Sequence, residues 1–148
     1  MLNTPAPDFS LPDGEGVQWR LSDHKGRVVV LLFYPGDETP VCTRQLCAVR
    51  DNWSRYLETG AEVVGISTDS VESHKKFAEK YGLTLKLLSD PQGNVVSMYG
   101  VKSWIPGKSS RAVVIIGRDG RVAYHKIQTL SLFRPDDEEI LKVISELK

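Results

Sequence analysis

The sequence predicts an α/β fold with strands of one sheet joined by helices, and three observations carry that prediction. Val28-Val29-Val30-Leu31-Leu32-Phe33-Tyr34 is an unbroken apolar run of the kind a strand buried on both faces shows. Glu62-Val63-Val64-Gly65-Ile66-Ser67-Thr68 is a second such run. A helix-forming stretch comes after each of them, and strand–helix–strand–helix order argues parallel pairing with right-handed crossovers. At 148 residues the chain suits one domain over positions 1–148, large enough to bury a core.

Pro7-Asp8-Phe9-Ser10-Leu11-Pro12 and Val17-Gln18-Trp19-Arg20-Leu21 each alternate apolar with polar, and Asp13-Gly14-Glu15-Gly16 between them supplies turn residues. An N-terminal β-hairpin is expected. Ser22–Gly26 then turns into the first buried strand. A helix is expected over Pro40–Glu58, with Leu46, Val49, Trp53 and Leu57 on the face laid against the sheet and Gly60 ending it. After the second strand, Asp69-Ser70 caps a helix over Val71–Tyr81, which Gly82 stops. A short strand at Leu85–Leu88, a turn at Ser89–Gly93 and a short helix at Asn94–Tyr99 come next. Residues 102–110, with Trp104, Pro106 and Gly107, show no period and read as loop. Arg111–Gly117 and Arg121–Ile127 flank Arg118-Asp119-Gly120, a hairpin signal. Asp136 and Glu139 form a capping box opening a last helix, with Ile140, Val143, Ile144 and Leu147 on one face.

Composition excludes several classes of function. Nineteen basic and nineteen acidic residues balance, so no general attraction to nucleic acid or to an anionic membrane is implied. No apolar run approaches the roughly 20 residues that span a bilayer. Met1-Leu2-Asn3-Thr4-Pro5 lacks a basic n-region and an apolar h-region, so a cytoplasmic location is expected. Two cysteines are too few for a disulfide framework, and in a reducing compartment such a pair more often serves catalysis.

Both cysteines lie in Phe33-Tyr34-Pro35-Gly36-Asp37-Glu38-Thr39-Pro40-Val41-Cys42-Thr43-Arg44-Gln45-Leu46-Cys47, where the strand gives way to the helix. Thr39 suits the N-cap, and Pro40 suits the first helical position, where a missing N–H costs nothing. Cys42 then falls in the first turn. Unpaired backbone N–H groups and the positive end of the helix dipole there favour an anion, and the thiolate is the nucleophilic form of cysteine. Cys47 is five residues on. If both stay helical they are separated by a rise of roughly 7.5 Å and a rotation of roughly 140°. A disulfide needs Cα atoms within about 7 Å and converging Cβ vectors. Two readings are open: unrelated thiols, or a nucleophile and a resolving thiol that meet only after the helix unwinds.

Pro35-x-x-x-Thr39-x-x-Cys42 resembles the Pro-x-x-x-Thr-x-x-Cys signature of the peroxiredoxins, thiol peroxidases on a thioredoxin-like fold. The second cysteine five residues on is similar to their bacterioferritin-comigratory, or Q-type, branch. The resemblance runs from Pro7-Asp8-Phe9 to the hairpin after Arg111 and implies a central mixed sheet flanked by helices. It also implies that Cys42 is the peroxidatic thiolate and Cys47 the resolving thiol. Thr39 would hydrogen-bond thiolate and peroxide, and Pro35 would shield the site from water. Ser109-Ser110-Arg111-Ala112-Val113-Val114 resembles the segment that carries the family's active-site arginine, which makes Arg111 the match. One departure stands out: Gln45 occupies the position, three after Cys42, where related sequences often carry Glu. It bears on any charge pair with the arginine and leaves the thiol chemistry as it is.

By the same resemblance the substrate is hydrogen peroxide or an organic hydroperoxide, and thioredoxin or a glutaredoxin reduces the resulting disulfide. A monomer is expected in preference to a dimer, and no metal, haem or flavin is implied. Cys-x-x-x-x-Cys with no second pair misses zinc-site spacing. Arg44, two positions past Cys42, points about 200° away around the helix and is not expected in the site. His24, His74 and His125 share no motif and read as surface residues. Trp19, Trp53 and Trp104 read as core or loop anchors. The competing enzyme reading, a thiol–disulfide oxidoreductase, is disfavoured by the lack of Cys-x-x-Cys. A peroxide sensor that passes its oxidation to a partner shares the first chemical step.

Overall fold

Strand β3 (Val29–Phe33) is buried along its whole length, as an apolar run requires, and the sheet is assembled around it. The structure, a computed structural model, describes residues 1–37, 39–105, 107–128 and 137–147. Strands β1 (Ser10–Pro12) and β2 (Gln18–Arg20) form a separate antiparallel hairpin with Leu11 opposite Trp19. Asp13 closes its turn, its side chain accepting from the N–H groups of Glu15 and Val17. The five-stranded sheet adds β4 (Glu62–Ser67), β5 (Lys86–Ser89), β6 (Arg111–Ile116) and β7 (Val122–Gln128) in the order β5-β4-β3-β6-β7. The β3–β4 and β4–β5 pairs are parallel, whereas β6 and β7 run antiparallel, so the expected mixed sheet is present.

The alternation of β3 splits the core between two faces. Val29, Leu31 and Phe33 pack with Phe9, Leu11 and Trp19 of the N-terminal segment and with Val95 and Val96 of α4 (Asn94–Met98). Val30, Leu32 and Tyr34 face the other helices: α1 (Pro40–Asp51), α2 (Trp53–Thr59), α3 (Val71–Tyr81) and α5 (Asp137–Glu146). Ser70 caps α3 through its hydroxyl, which accepts from the N–H of Ser73, and Gly82 ends it at φ 62°. Ile140 and Ile144 of α5 are buried, with Val143 and Leu147 packed beside them. Asp136 of the expected capping box lies outside the described residues.

Several expectations need correction. The helix expected over Pro40–Glu58 is two helices, interrupted at Asn52 (φ −101°, ψ 17°). The Asn52 side chain donates to the carbonyl of Ala48 at 3.1 Å and to Asp137 of α5 at 2.8 Å. The break shifts the helical phase of α2 relative to α1. Tyr56 turns inward and donates its O–H to Asp137 at 2.6 Å, while Leu57, expected in the core, is 61% exposed. Trp19 is a core residue and Trp53 is half-buried, but Trp104 is 90% exposed and anchors nothing among the described residues.

Of the three histidines expected at the surface, His24 and His125 are half-buried and His74 is not at the surface at all. His74 is fully buried. His24 stacks on Trp19 with ring centroids 4.7 Å apart, and a ring nitrogen of His125 lies 2.8 Å from the carbonyl oxygen of Tyr99. His74 and His125 are held by partners distant in sequence, which a missing local motif does not exclude. For His74 the periodicity of α3 was a usable signal, because His74, Phe77, Ala78 and Tyr81 fall on one face.

Candidate active site

The parallel half of the sheet directs the carboxyl ends of β3 and β4 toward the loop that precedes α1, and the antiparallel register brings β6 to the same place. Phe33 pairs with Ala112, so Arg111 stands at the end of β6 nearest that loop. By alternation Arg111 shares a face with Val113 and Ile115, which pack in the same core as Cys42, Leu46 and Val49 of α1. The sheet thus places Arg111 and the start of α1 on one face at one end.

Thr39 has the extended backbone of an N-cap, and its carbonyl accepts the first helical bond from the N–H of Thr43 at 2.8 Å. Its side chain does not cap the helix, contrary to the simplest reading of the sequence. The hydroxyl instead donates to the carbonyl of Gly36 at 3.1 Å and draws the loop into a tight turn. Pro35 is half-buried and Gly36 buried beneath this turn. Cys42 is the third residue of α1 and is completely buried, whereas Cys47 is half-buried, and both are free thiols. Since α1 is continuous from Pro40 to Asp51, the thiols cannot join in this conformation. Arg44 is exposed, as its helical phase requires.

Three buried side-chain atoms among the described residues lack a hydrogen-bond partner: Thr43 Oγ1, Gln45 Oε1 and Arg111 Nε. The last two are an acceptor and a donor that do not bond each other. Gln45, buried and neutral, brings no carboxylate into this core. An unpartnered buried donor costs stability unless water or a ligand completes it.

The loop is also held by groups that the sequence reading missed. Asp37, its side chain 3% exposed, accepts from Tyr34 Oη at 2.7 Å, from Ser73 Oγ at 2.7 Å and from His74 Nδ1 at 2.9 Å. The other ring nitrogen of His74 lies 3.0 Å from the carbonyl oxygen of Leu88 in β5. The N–H of Asp37 donates to Asp69 at 2.8 Å, and Asp69 also accepts from Ser67 Oγ at 2.7 Å. Room for Tyr34 comes from Gly65, where a Cβ would approach Tyr34 Cε1 to 3.2 Å and Leu87 Cδ2 to 2.9 Å.

Burial alone would raise the Asp37 carboxyl. The hydrogen bond and charge of His74, with the Ser73 and Tyr34 hydroxyls, outweigh burial and hold it below the usual carboxylate range. Burial and then the Asp37 charge push the Tyr34 phenol well above its ordinary value, so it remains a donor. A carboxyl lowered by folding stabilises the native state above its unfolded value near pH ~3.9, and that contribution fades as pH falls through the lower folded value. The denaturation midpoint of the wild type should therefore exceed that of Asp37→Asn at pH 7. Denaturant titrations from pH 7 to 3 should show the gap narrowing below pH ~4; a gap constant with pH would contradict the pairing.

At the opposite end of the sheet lies a cleft of about 290 Å³ walled in part by Leu21, Val29 and Ile116, which includes neither cysteine. Among the described residues no group of three or more His, Cys, Asp or Glu is arranged to hold a metal ion.

The AhpC/TSA family matches residues 2–125 of the chain. The chain belongs to that family. It is 44% identical to the chloroplastic peroxiredoxin Q of Sedum lineare over 99% of its own length and 78% of the relative's. With the wheat (Triticum aestivum) peroxiredoxin Q it shares 44% identity over 95% of its length, spanning 65% of that relative. Among solved structures, the peroxidoxin BcpB of Mycobacterium tuberculosis superposes with a TM-score of 0.84 at 37% identity, covering 99% of this chain and 95% of that one. The bacterioferritin comigratory protein of Xanthomonas campestris, described for its alkyl peroxide reduction activity, superposes at 0.83 with 25% identity, covering 93% of this chain and 90% of that one. The two solved structures share the mixed sheet flanked by helices, and the resemblance to the peroxiredoxins holds across nearly the whole chain.

Proposed function

We propose that this chain is a thiol-dependent peroxidase in which Cys42 attacks the peroxide and Cys47 resolves the product. The observation that carries the reading is a buried free cysteine in the first turn of α1, at the sheet end where Arg111 offers an unpartnered Nε. The Cys42 thiolate attacks one peroxide oxygen, the S–O bond forms and the O–O bond breaks. The electron pair leaves on the other oxygen as hydroxide or alkoxide, which takes up a proton to become water or an alcohol. Preorganised donors matter because charge develops on the leaving oxygen, and Arg111 with the first-turn N–H groups of α1 supplies them. The Thr39 hydroxyl donates its O–H to the Gly36 carbonyl, so its oxygen serves the hydroperoxide as an acceptor, orienting the substrate O–H. Pro35 keeps water from the back of the site.

Cys42 is left as a sulfenic acid. Condensation with the Cys47 thiol releases water and forms the disulfide, which requires the helix between them to unwind. An external dithiol of the thioredoxin or glutaredoxin kind then reduces that disulfide, becoming oxidised itself. The deciding experiment is intact mass of the reduced protein after one equivalent of hydrogen peroxide, for wild type and Cys47→Ser. The wild type should lose about two mass units, and the variant should gain about sixteen. A gain of sixteen in both would remove Cys47 from the mechanism, and no change in either would overturn the peroxidase reading.

A further inference from the structure

We propose that Asp37 and His74 are positioning residues for the peroxide-binding turn, holding Gly36 and Thr39 in their reactive arrangement from outside the helix that carries Cys42. The proposal rests on the peroxidase reading above. Its basis is where the loop's anchors come from. Thr39 does not cap α1 with its side chain, and its hydroxyl reaches back only to Gly36, so the turn closes on itself. What fixes that turn to the body of the protein is the next residue, Asp37. Its carboxylate is gripped by Tyr34 at the end of β3 and by Ser73 and His74 of α3, and its N–H is held by Asp69 between β4 and α3.

His74 is suited to this grip. It is fully buried, with Nδ1 against the Asp37 carboxylate and Nε2 against the Leu88 carbonyl, both of which are acceptors. Each ring nitrogen must therefore carry a proton, and the pair is an imidazolium–carboxylate couple bridging β5 to the loop. Other titratable groups at the couple are Tyr34, whose oxygen lies 3.4 Å from Nδ1 and donates to Asp37, and Asp69, which faces the Asp37 N–H, with the Lys108 ammonium near Gly36. Buried charge pairs of this kind hold geometry at the cost of desolvation, and breaking one partner leaves the other uncompensated. The anchor also lies outside the Cys42–Cys47 segment that must unwind, so the turn keeps its place while the helix opens and re-forms.

The test compares two reactions of the same sulfur at pH 7. Reaction with hydrogen peroxide needs the donors and acceptors of the turn in place, whereas alkylation by iodoacetamide needs only an accessible thiolate. Asp37→Asn and His74→Gln should slow the peroxide reaction by about 10- to 100-fold, as displacement of a positioned group does, and alkylation by less than about threefold. Ser73→Ala and Tyr34→Phe each remove one hydrogen bond and keep the packing, so they should slow the peroxide reaction a few-fold in the same direction. In the wild type, nitrogen-15 spectra of labelled histidine should show protons on both ring nitrogens of His74. Peroxide rates within about twofold of wild type in all four variants, parallel changes with both reagents, or a His74 ring carrying one proton would each overturn the proposal. Failure of the wild type itself to react with peroxide while it alkylates normally would instead refute the peroxidase reading, and would be seen before any variant is made.

Discussion

Arg111→Ala should slow oxidation of Cys42 by hydrogen peroxide about 100- to 1,000-fold, the usual loss when one preorganised donor to a developing oxyanion is removed. The expectation comes from the state of the side chain. Its Nε is buried without a partner, and Gln45 supplies no carboxylate to occupy it. The guanidinium therefore has a free donor to offer the transition state. Arg111→Lys should recover only part of the rate, since a lysine keeps the charge but not the planar fork. Stopped-flow measurement of Cys42 oxidation, with circular dichroism to confirm the fold, checks both variants. An Arg111→Ala rate close to wild type would place Arg111 outside the chemistry, however well the register of β6 puts it at the site.

Leu46→Ala should lower global stability by about 2–5 kcal/mol while speeding the step that joins the cysteines. Leu46 is buried on the face of α1 that packs on Val30 and Leu32, midway between the start of the helix and its end before Asn52. Removing its side chain leaves a cavity under the segment that must unwind for Cys47 to reach Cys42. A denaturant titration reads the first effect. The second is read by following disulfide formation after a single peroxide addition. A variant that loses stability but resolves no faster would show that the limiting step is not detachment of this helix.

The two signs are opposed by construction. On the mechanism proposed above, packing that holds α1 in place favours the peroxide reaction, which uses Cys42 at the head of an intact helix, and delays resolution, which uses the open helix. The half-buried position of Cys47 fits that division.

What the chain order alone determined was local. The buried strand at β3, the extended Thr39 before Pro40 and the placement of Cys42 in the first helical turn all arise from short-range patterns, namely an apolar run, a cap residue and a fixed proline φ. The caps of α3 and the hairpin turn at Arg118–Gly120 are legible for the same reason. The Pro-x-x-x-Thr-x-x-Cys spacing added the resemblance to the peroxiredoxins, and with it the expectation of Arg111.

What the tertiary structure decided lay in partnerships across the chain. Helix α1 ends at Asn52 because Asp137, 85 residues on, holds its side chain, and the same carboxylate turns Tyr56 inward in place of Leu57. His74 is buried with its two ring nitrogens against acceptors on Asp37 and Leu88; Asp37 is 37 residues away along the chain. No local propensity encodes such pairs. A polar side chain enters the core only when distant donors and acceptors converge on it, since burial without them costs more than exposure. Periodicity therefore marked the helices, and only the folded sheet decided which polar groups on them turn inward to hold the site.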